Sequence, residues 1–230
     1  LLTHGELSIE GRLVEASNGT LLCQVEADGV QSLCVYKPVA GERPLWDFPH
    51  GTLAGREYAA YLVSEASGWN LVPPTILRDG PYGEGMVQFW VDVDESVDVE
   101  RMVRSADPRL RPMAAFDAVV NNSDRKGVHL LPTVDGDVYG CDHGLTFHED
   151  DKLRTVLWAW HGESFDDEER EVVGMLADLL ADGGALRQAL APYLTRTELA
   201  ATSRRARVLR SIGRFPEPSG DWPAVPWPPF

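Results

Sequence analysis

The stretch Phe116-Asp117-Ala118-Val119-Val120-Asn121-Asn122-Ser123-Asp124-Arg125-Lys126-Gly127-Val128-His129-Leu130-Leu131 decides how the chain is read. An apolar run gives way to polar residues, then to an Asp-Arg pair, a Gly, a His and a second apolar pair. A little further on, Val138-Tyr139-Gly140-Cys141 leads into Asp142 and Gly144. The pattern predicts a helix, a loop holding one carboxylate, a strand, a turn, and a second strand that delivers a second carboxylate. Two carboxylates presented in this way suit metal-assisted phosphoryl transfer. One accepts the proton of an attacking hydroxyl, and the other holds the metal that bridges the phosphates.

Upstream, residues 5–38 read as three short antiparallel strands. Glu6 to Val14 alternates polar and apolar residues, and Leu21–Val25 and Ser32–Lys37 are joined at Asp28-Gly29. The turn Ser17-Asn18-Gly19-Thr20 has two readings. It is a plain hairpin tip, or a phosphate cradle, since Gly permits close backbone approach and small hydroxyl and amide groups donate to phosphate oxygens. Lys37 ends the third strand, where a lysine can reach nucleotide phosphates; the bland alternative is a surface lysine.

Residues 39–52 read as a loop rich in Pro, Gly and aromatics. Leu53, Tyr58, Tyr61, Leu62 and Ala66 then predict a helix over 53–67, stopped by Gly68. Glu57, near its start, is either the partner of Lys37 or a surface carboxylate favoured by the helix dipole.

Residues 71–77 and 85–91 read as two further strands. The second runs into the acidic stretch Asp92 to Glu100. That composition shift places a boundary between a first unit, 1–92, and a second, 93–230. The Phe89–Val91 backbone would then be a hinge able to hydrogen-bond an adenine; otherwise it is an interior strand.

The second unit reads as mainly helical. A short helix is expected over 98–104, and Pro112 opens the one that feeds the central stretch. Ser164 or Asp166 caps a helix whose inner face includes Val173, Leu176 and Leu180, and Gly183-Gly184 stops it. Thr195 with Glu198 forms a capping box for a last helix to about Ile212. The tail from Phe215 holds six of the chain's 16 prolines together with Trp222 and Trp227. It reads as an extended segment packed on the larger unit, with a proline-rich ligand for a protein partner as the alternative. The expected fold class is α+β: a small antiparallel β lobe and a mainly helical lobe.

The bulk properties set bounds. The chain has 230 residues, 43% of them hydrophobic, and a formal charge of −15. That charge disfavours unaided binding to nucleic acid or to an anionic membrane. Arg204, Arg205, Arg207, Arg210 and Arg214 read as a solvated helix face, with a local basic binding patch as the alternative. The three cysteines are few, odd in number and without CxxC spacing, which implies free thiols in a reducing cytoplasm. No run approaches the roughly 18 apolar residues of a membrane span, and no signal segment opens the chain.

Several stretches together resemble the phosphatidylinositol 3-/4-kinase superfamily, most closely its type II phosphatidylinositol 4-kinase branch and an uncharacterised actinobacterial kinase-like group. They are Lys37-Pro38, Asn70 to Thr75, Gln88-Phe89-Trp90-Val91, Asn121 to Arg125, Asp142 to Phe147 and Trp158-Ala159-Trp160, in family order over about residues 15–165. The resemblance implies a two-lobed protein-kinase-like fold and ATP as phosphoryl donor. It implies Ser17, Asn18, Gly19 and Thr20 as a phosphate turn, Lys37 with Glu57 as the phosphate-binding pair, and Gln88, Phe89, Trp90 and Val91 as the adenine contact. Asp124 resembles the catalytic Asp, flanked by Arg125, and Asp142 the metal-holding Asp for Mg²⁺ or Mn²⁺. Where the family has a second metal-binding Asn, this chain has His129, which reads as a metal ligand favouring Mn²⁺, as a donor to phosphate, or as a mark of weakened catalysis.

The acceptor stays open among an inositol lipid, a soluble polyol and a protein hydroxyl, and with it any membrane contact. Two other functions are weighed. His129 is consistent with a pseudokinase that binds ATP without turnover. Cys141, Asp142, His143, His148 and His161 would make a zinc hydrolase if they converged.

Overall fold

The computed structural model describes residues 1–13 and 19–230. Ser17 and Asn18 of the expected phosphate turn lie outside the described residues, as does Val14 at the end of the expected first strand.

Five strands form one antiparallel sheet in the order β1-β2-β3-β5-β4: β1 Glu6–Arg12, β2 Leu21–Ala27, β3 Val30–Pro38, β4 Thr75–Gly80 and β5 Gly83–Phe89. The alternation of β2 and β3 puts Cys23, Val25, Cys34 and Tyr36 into a small core with Val87 and Leu2. Leu13 N–H donates to the Thr20 carbonyl at 3.0 Å and closes the first hairpin. β4 begins at Thr75 rather than at residue 71. Pro73 and Pro74 have no N–H to give a ladder, so Leu71 and Val72 pack into the core as loop instead.

Helix α1, Leu53–Ser67, joins the two halves. It ends at Gly68, whose φ of 74° is the left-handed cap that glycine takes without strain. Its residues Ala59, Ala60 and Val63 belong to the large core of the helical half, with Phe116, Val119 and Leu176. That half contains α2 Val99–Arg104, α3 Arg111–Val120, α4 Asp167–Leu179, α5 Ala185–Leu190 and α6 Arg196–Ile212. The capping box expected at Thr195/Glu198 starts α6; Asp166, one of the two caps expected for α4, starts it with a box that also uses Glu169. The six-residue α5 was not expected, because Gly183-Gly184 before it reads as a stop.

A two-stranded ribbon, β6 Leu130–Pro132 and β7 Val138–Gly140, carries the central stretch to Asp142. The fold is a two-lobed, kinase-like α+β fold. Among the described residues, no helix is long and apolar enough to cross a membrane.

The tail packs on its own chain. The Ala224 carbonyl accepts from Thr155 N–H at 3.0 Å and from Trp158 Nε1 at 2.8 Å, and the Pro229 carbonyl accepts from Gly127 N–H at 2.8 Å. Trp227 departs from the expected burial and is 85% exposed.

Candidate active site

The stretch that carries Asp124 is shaped by the end of α3. Asn121 caps it in the left-handed region at φ 54°, which turns the chain out of the helix. Asn122 then bridges. Its Nδ2 donates to Asp117 Oδ1 at 3.0 Å, and its Oδ1 accepts from Asp124 N–H at 3.0 Å. The Asp124 side chain remains about a quarter exposed, with Lys126 Nζ at 3.1 Å from Oδ2. Burial raises its pKa above the ordinary carboxylate value, against the pull of Lys126 and with a further push from Asp142.

Lys37 and Glu57 meet from opposite elements. Lys37 Nζ donates to Glu57 Oε1 at 2.6 Å and to Asp142 Oδ1 at 2.8 Å, and Glu57 Oε2 accepts from His143 N–H at 2.7 Å. β3, α1 and the chain after β7 are thus pinned at one point. Burial opposes the Lys37 charge, but Asp142 and then Glu57 outweigh it and raise its pKa. In turn the Lys37 ammonium holds Asp142 well below the usual carboxylate range. Asp142 itself is in the left-handed region, at φ 60°.

Two cavities meet at the Lys37–Asp142 pair. One, of about 300 Å³, is lined by Val35, Thr20, Leu131, Cys141 and the Gln88–Val91 segment. Trp90 N–H is taken by the Leu33 carbonyl at 3.1 Å and Phe89 N–H by Pro74 at 3.0 Å, which fixes this backbone against the cavity. The Gln88 side chain donates to Thr75 Oγ1 at 2.8 Å and braces the strand. Burial pushes the Cys141 thiol up to about 12, so it is a neutral wall group.

The other cavity, of about 280 Å³, holds Asp124 and Asp142 with Glu57, Gly144, Gly19 and the 42–45 segment. Gly19 N–H donates to the Gly41 carbonyl at 3.0 Å. A Cβ on Gly19 would come within 3.2 Å of Gly41 Cα, a tight contact that glycine avoids.

Arg125 is not brought to the cleft. It is fully buried, and its guanidinium is saturated: Nε and Nη2 grip Asp117 at 2.9 Å each, Nη1 reaches the Cys141 and His129 carbonyls, and Nη2 meets His143 Nε2 at 2.6 Å. It ties α3 to the Asp124 loop and does not face the cleft. Asp117 and Asn122, which hold Asp124 in place, had no role in the sequence reading. A lone Asp inside the apolar run Phe116–Val120 was their signal.

His129 Nδ1 accepts from Lys126 N–H at 3.4 Å, and Nε2 lies 3.5 Å from Asp142 Oδ2. Burial lowers its pKa to about 4, so the ring is neutral at pH 7 with its proton on Nε2. It therefore presents an N–H, not a lone pair, and does not fit the metal-ligand role expected for it. The hydrolase constellation is scattered. His143 is buried edge-on to Phe116, His161 pairs with Glu217 at the surface, and His148 packs against Phe48. Among the described residues, no three His, Cys, Asp or Glu side chains group as a preformed metal site. The two carboxylates on one cavity nevertheless suit a hard cation that arrives with phosphates, since Mg²⁺ needs only one or two protein carboxylates besides them.

A scan against models of known protein families matches none. Among solved structures, the crystal structure of a Helicobacter pylori proinflammatory kinase, CtkA, has a similar fold. The TM-score is 0.58 over 93% of this chain and 94% of that one, at 11% identity. In sequence, the chain is 47% identical to Protein Rv2133c of Mycobacterium tuberculosis over an alignment of 266 residues, spanning all of this chain and 94% of the relative. At that identity over its whole length, the chain belongs to the family of the Mycobacterium tuberculosis protein Rv2133c.

Proposed function

We propose that the cleft is the active site of an ATP-dependent phosphotransferase of the phosphatidylinositol 3-/4-kinase-like type, acting on a hydroxyl acceptor. One observation carries this reading. A single lysine, Lys37, is bonded at once to Glu57 and Asp142 where an apolar cavity meets a polar one that contains Asp124. The kinase-like fold supports it.

In this reading the adenine lies against Val35, Leu131 and the Phe89–Val91 backbone. Lys37 steadies the phosphates, and Glu57 holds Lys37. Asp124 accepts the proton of the acceptor hydroxyl as its oxygen attacks the γ-phosphorus. The bond to the β,γ-bridging oxygen breaks, ADP leaves with those electrons, and Asp124 returns its proton to solvent. A bound Mg²⁺ or Mn²⁺ would be held by Asp142, with Asp124 nearby, and would neutralise the phosphate charge. The division at residues 92 and 93 belongs to the same reading, with nucleotide contacts mainly from the first part and chemistry from the second.

A second reading, a pseudokinase, is favoured by His129, which directs an N–H at Asp142 where the resembling family places a metal-binding Asn. ATP consumption with Mg²⁺ or Mn²⁺, compared between wild type and Asp142→Asn, separates the two. Turnover that disappears in the variant supports the phosphotransferase. ATP binding with no turnover on any acceptor supports the pseudokinase.

A further inference from the structure

The segment between β3 and α1 does not stay with the sheet. Residues 42–51 cross to the helical lobe and are held there by one ammonium group. Lys152 is 3% exposed. Its Nζ donates to Asp47 Oδ2 at 2.8 Å, lies 4.8 Å and 4.6 Å from the ring centres of Trp46 and Trp222, and is 3.3 Å from His148 Nε2. A charge this buried persists only when it is paired, and here it is paired across the lobes. Phe48 adds a second anchor, edge-on to His148 at 5.3 Å and under the Arg56 guanidinium at 4.8 Å.

The other end of Lys152 is stitched to the catalytic loop. Its backbone N–H donates to Asn121 Oδ1 at 3.0 Å. Two residues on, Arg154 N–H donates to the Asn122 carbonyl at 2.9 Å, and the Arg154 carbonyl accepts from Arg125 N–H at 3.1 Å. The side chain therefore connects the outer wall of the polar cavity, formed by Glu42, Arg43 and Leu45, to the loop that carries Asp124.

The opposite flank of that loop is also covered. Gly127 N–H is taken by the Pro229 carbonyl, and the Phe230 ring lies where a Gly127 Cβ would stand. An extended polypeptide or a bilayer surface needs open space beside the reacting hydroxyl. The polar cavity of about 280 Å³ is at the small end of ligand pockets, roughly 300–1,000 Å³, and the γ-phosphoryl group takes part of it.

We propose that Lys152 is a specificity-determining latch. It holds residues 42–51 as the outer wall of an acceptor chamber and restricts the acceptor to a small soluble hydroxyl compound, a polyol or a sugar. The inference rests on the phosphotransferase reading above and names the substrate class for that site. Opening the latch admits larger acceptors and water.

The test uses the full chain and two variants that touch the contact from opposite lobes. Lys152→Met keeps an unbranched stem between the indole rings and removes the charge, and Asp47→Asn removes its partner. Thermal melting checks that each folds, and a fluorescent ATP analogue checks nucleotide binding. Transfer of labelled γ-phosphate is then measured to a panel of polyols and sugars, a pool of Ser/Thr peptides, and phosphatidylinositol vesicles, with release to water recorded separately.

In wild type at least one small compound is labelled tenfold faster than peptides or vesicle lipid. In both variants release to water rises severalfold and the preference falls at least fivefold. Equal labelling of peptide or lipid by wild type overturns the inference, as does an unchanged preference and water release in both variants. ATP binding without transfer to any small compound also overturns it and leaves nucleotide binding standing. Failure of wild type to bind ATP removes the phosphotransferase reading itself.

Discussion

Two charged clusters, one around Arg125 and one around Lys37, differ in what they leave unfinished. In the interior of the helical lobe, Arg125 is fully buried, with every N–H engaged by Asp117, His143 or a backbone carbonyl. In the cleft, Lys37 is held by Glu57 and Asp142, yet Asp142 is 44% exposed and two cavities open on the pair. Each cluster pairs a cation with carboxylate: Arg125 is fully buried against Asp117, and Lys37 is partly exposed between Glu57 and Asp142. The first is complete without a ligand, so its work is to fix the loop. The second faces open volume, so its work is to meet something. Open space beside a paired charge is the better guide to chemistry than charge burial alone.

The sharpest way to break this contrast is Asp142→Asn. ATP turnover is expected to fall by about 10³-fold or more, while the half-exposed position keeps the melting temperature near wild type. A variant that turns over normally would dissolve the distinction. Arg125→Met should do the reverse. It leaves Asp117 buried without its partner and is expected to cost about 3–5 kcal/mol in chemical denaturation. Full stability there would remove the scaffold assignment.

Glu57→Gln sharpens the cleft side. Lys37 keeps Asp142 but loses its anchor on α1, and turnover should drop about 10- to 100-fold, with a smaller change in ATP affinity read by titration.

The effect of pH follows next. Asp124 must be ionised to take a proton, and its pKa is raised, so activity should fade on acidification at a higher pH than an ordinary carboxylate would give. Stability moves in the same direction for a different reason. The pKa of His129 is about 4 in the folded chain and near 6.5 when unfolded. The unfolded chain therefore binds the extra proton between those values, and stability is retained above about 6.5 and lost as pH falls toward 4. Denaturation midpoints at pH 7.5 and 5 check the sign. His129→Asn should have the smallest effect, changing turnover less than about tenfold, since an amide N–H can replace the ring N–H that faces Asp142.

Local chemistry made much of the cleft legible. Lys37 at a strand end, Glu57 on the next helix, Asp124 after an apolar helix and Asp142 after a short strand could each be picked out, and the structure brings all four to one place. Arg125 was read by adjacency to Asp124, but the left-handed turn at Asn121 reverses the chain and directs the two side chains to opposite environments. His129 was read as a metal ligand from its place where the resembling family has a metal-binding Asn, and only the Lys126 N–H on Nδ1 shows which nitrogen accepts. Nothing near Lys152 in sequence signals its role. Its partners Asp47, Trp46 and Trp222 come from far along the chain and meet only through tertiary packing.

The ring of Phe230 against Gly127 carries a practical consequence for handling this molecule. A label or cross-linker introduced at Gly127 or Phe230 would displace this contact and press directly on the loop that presents Asp124, so a readout taken there would report the label as much as the cleft.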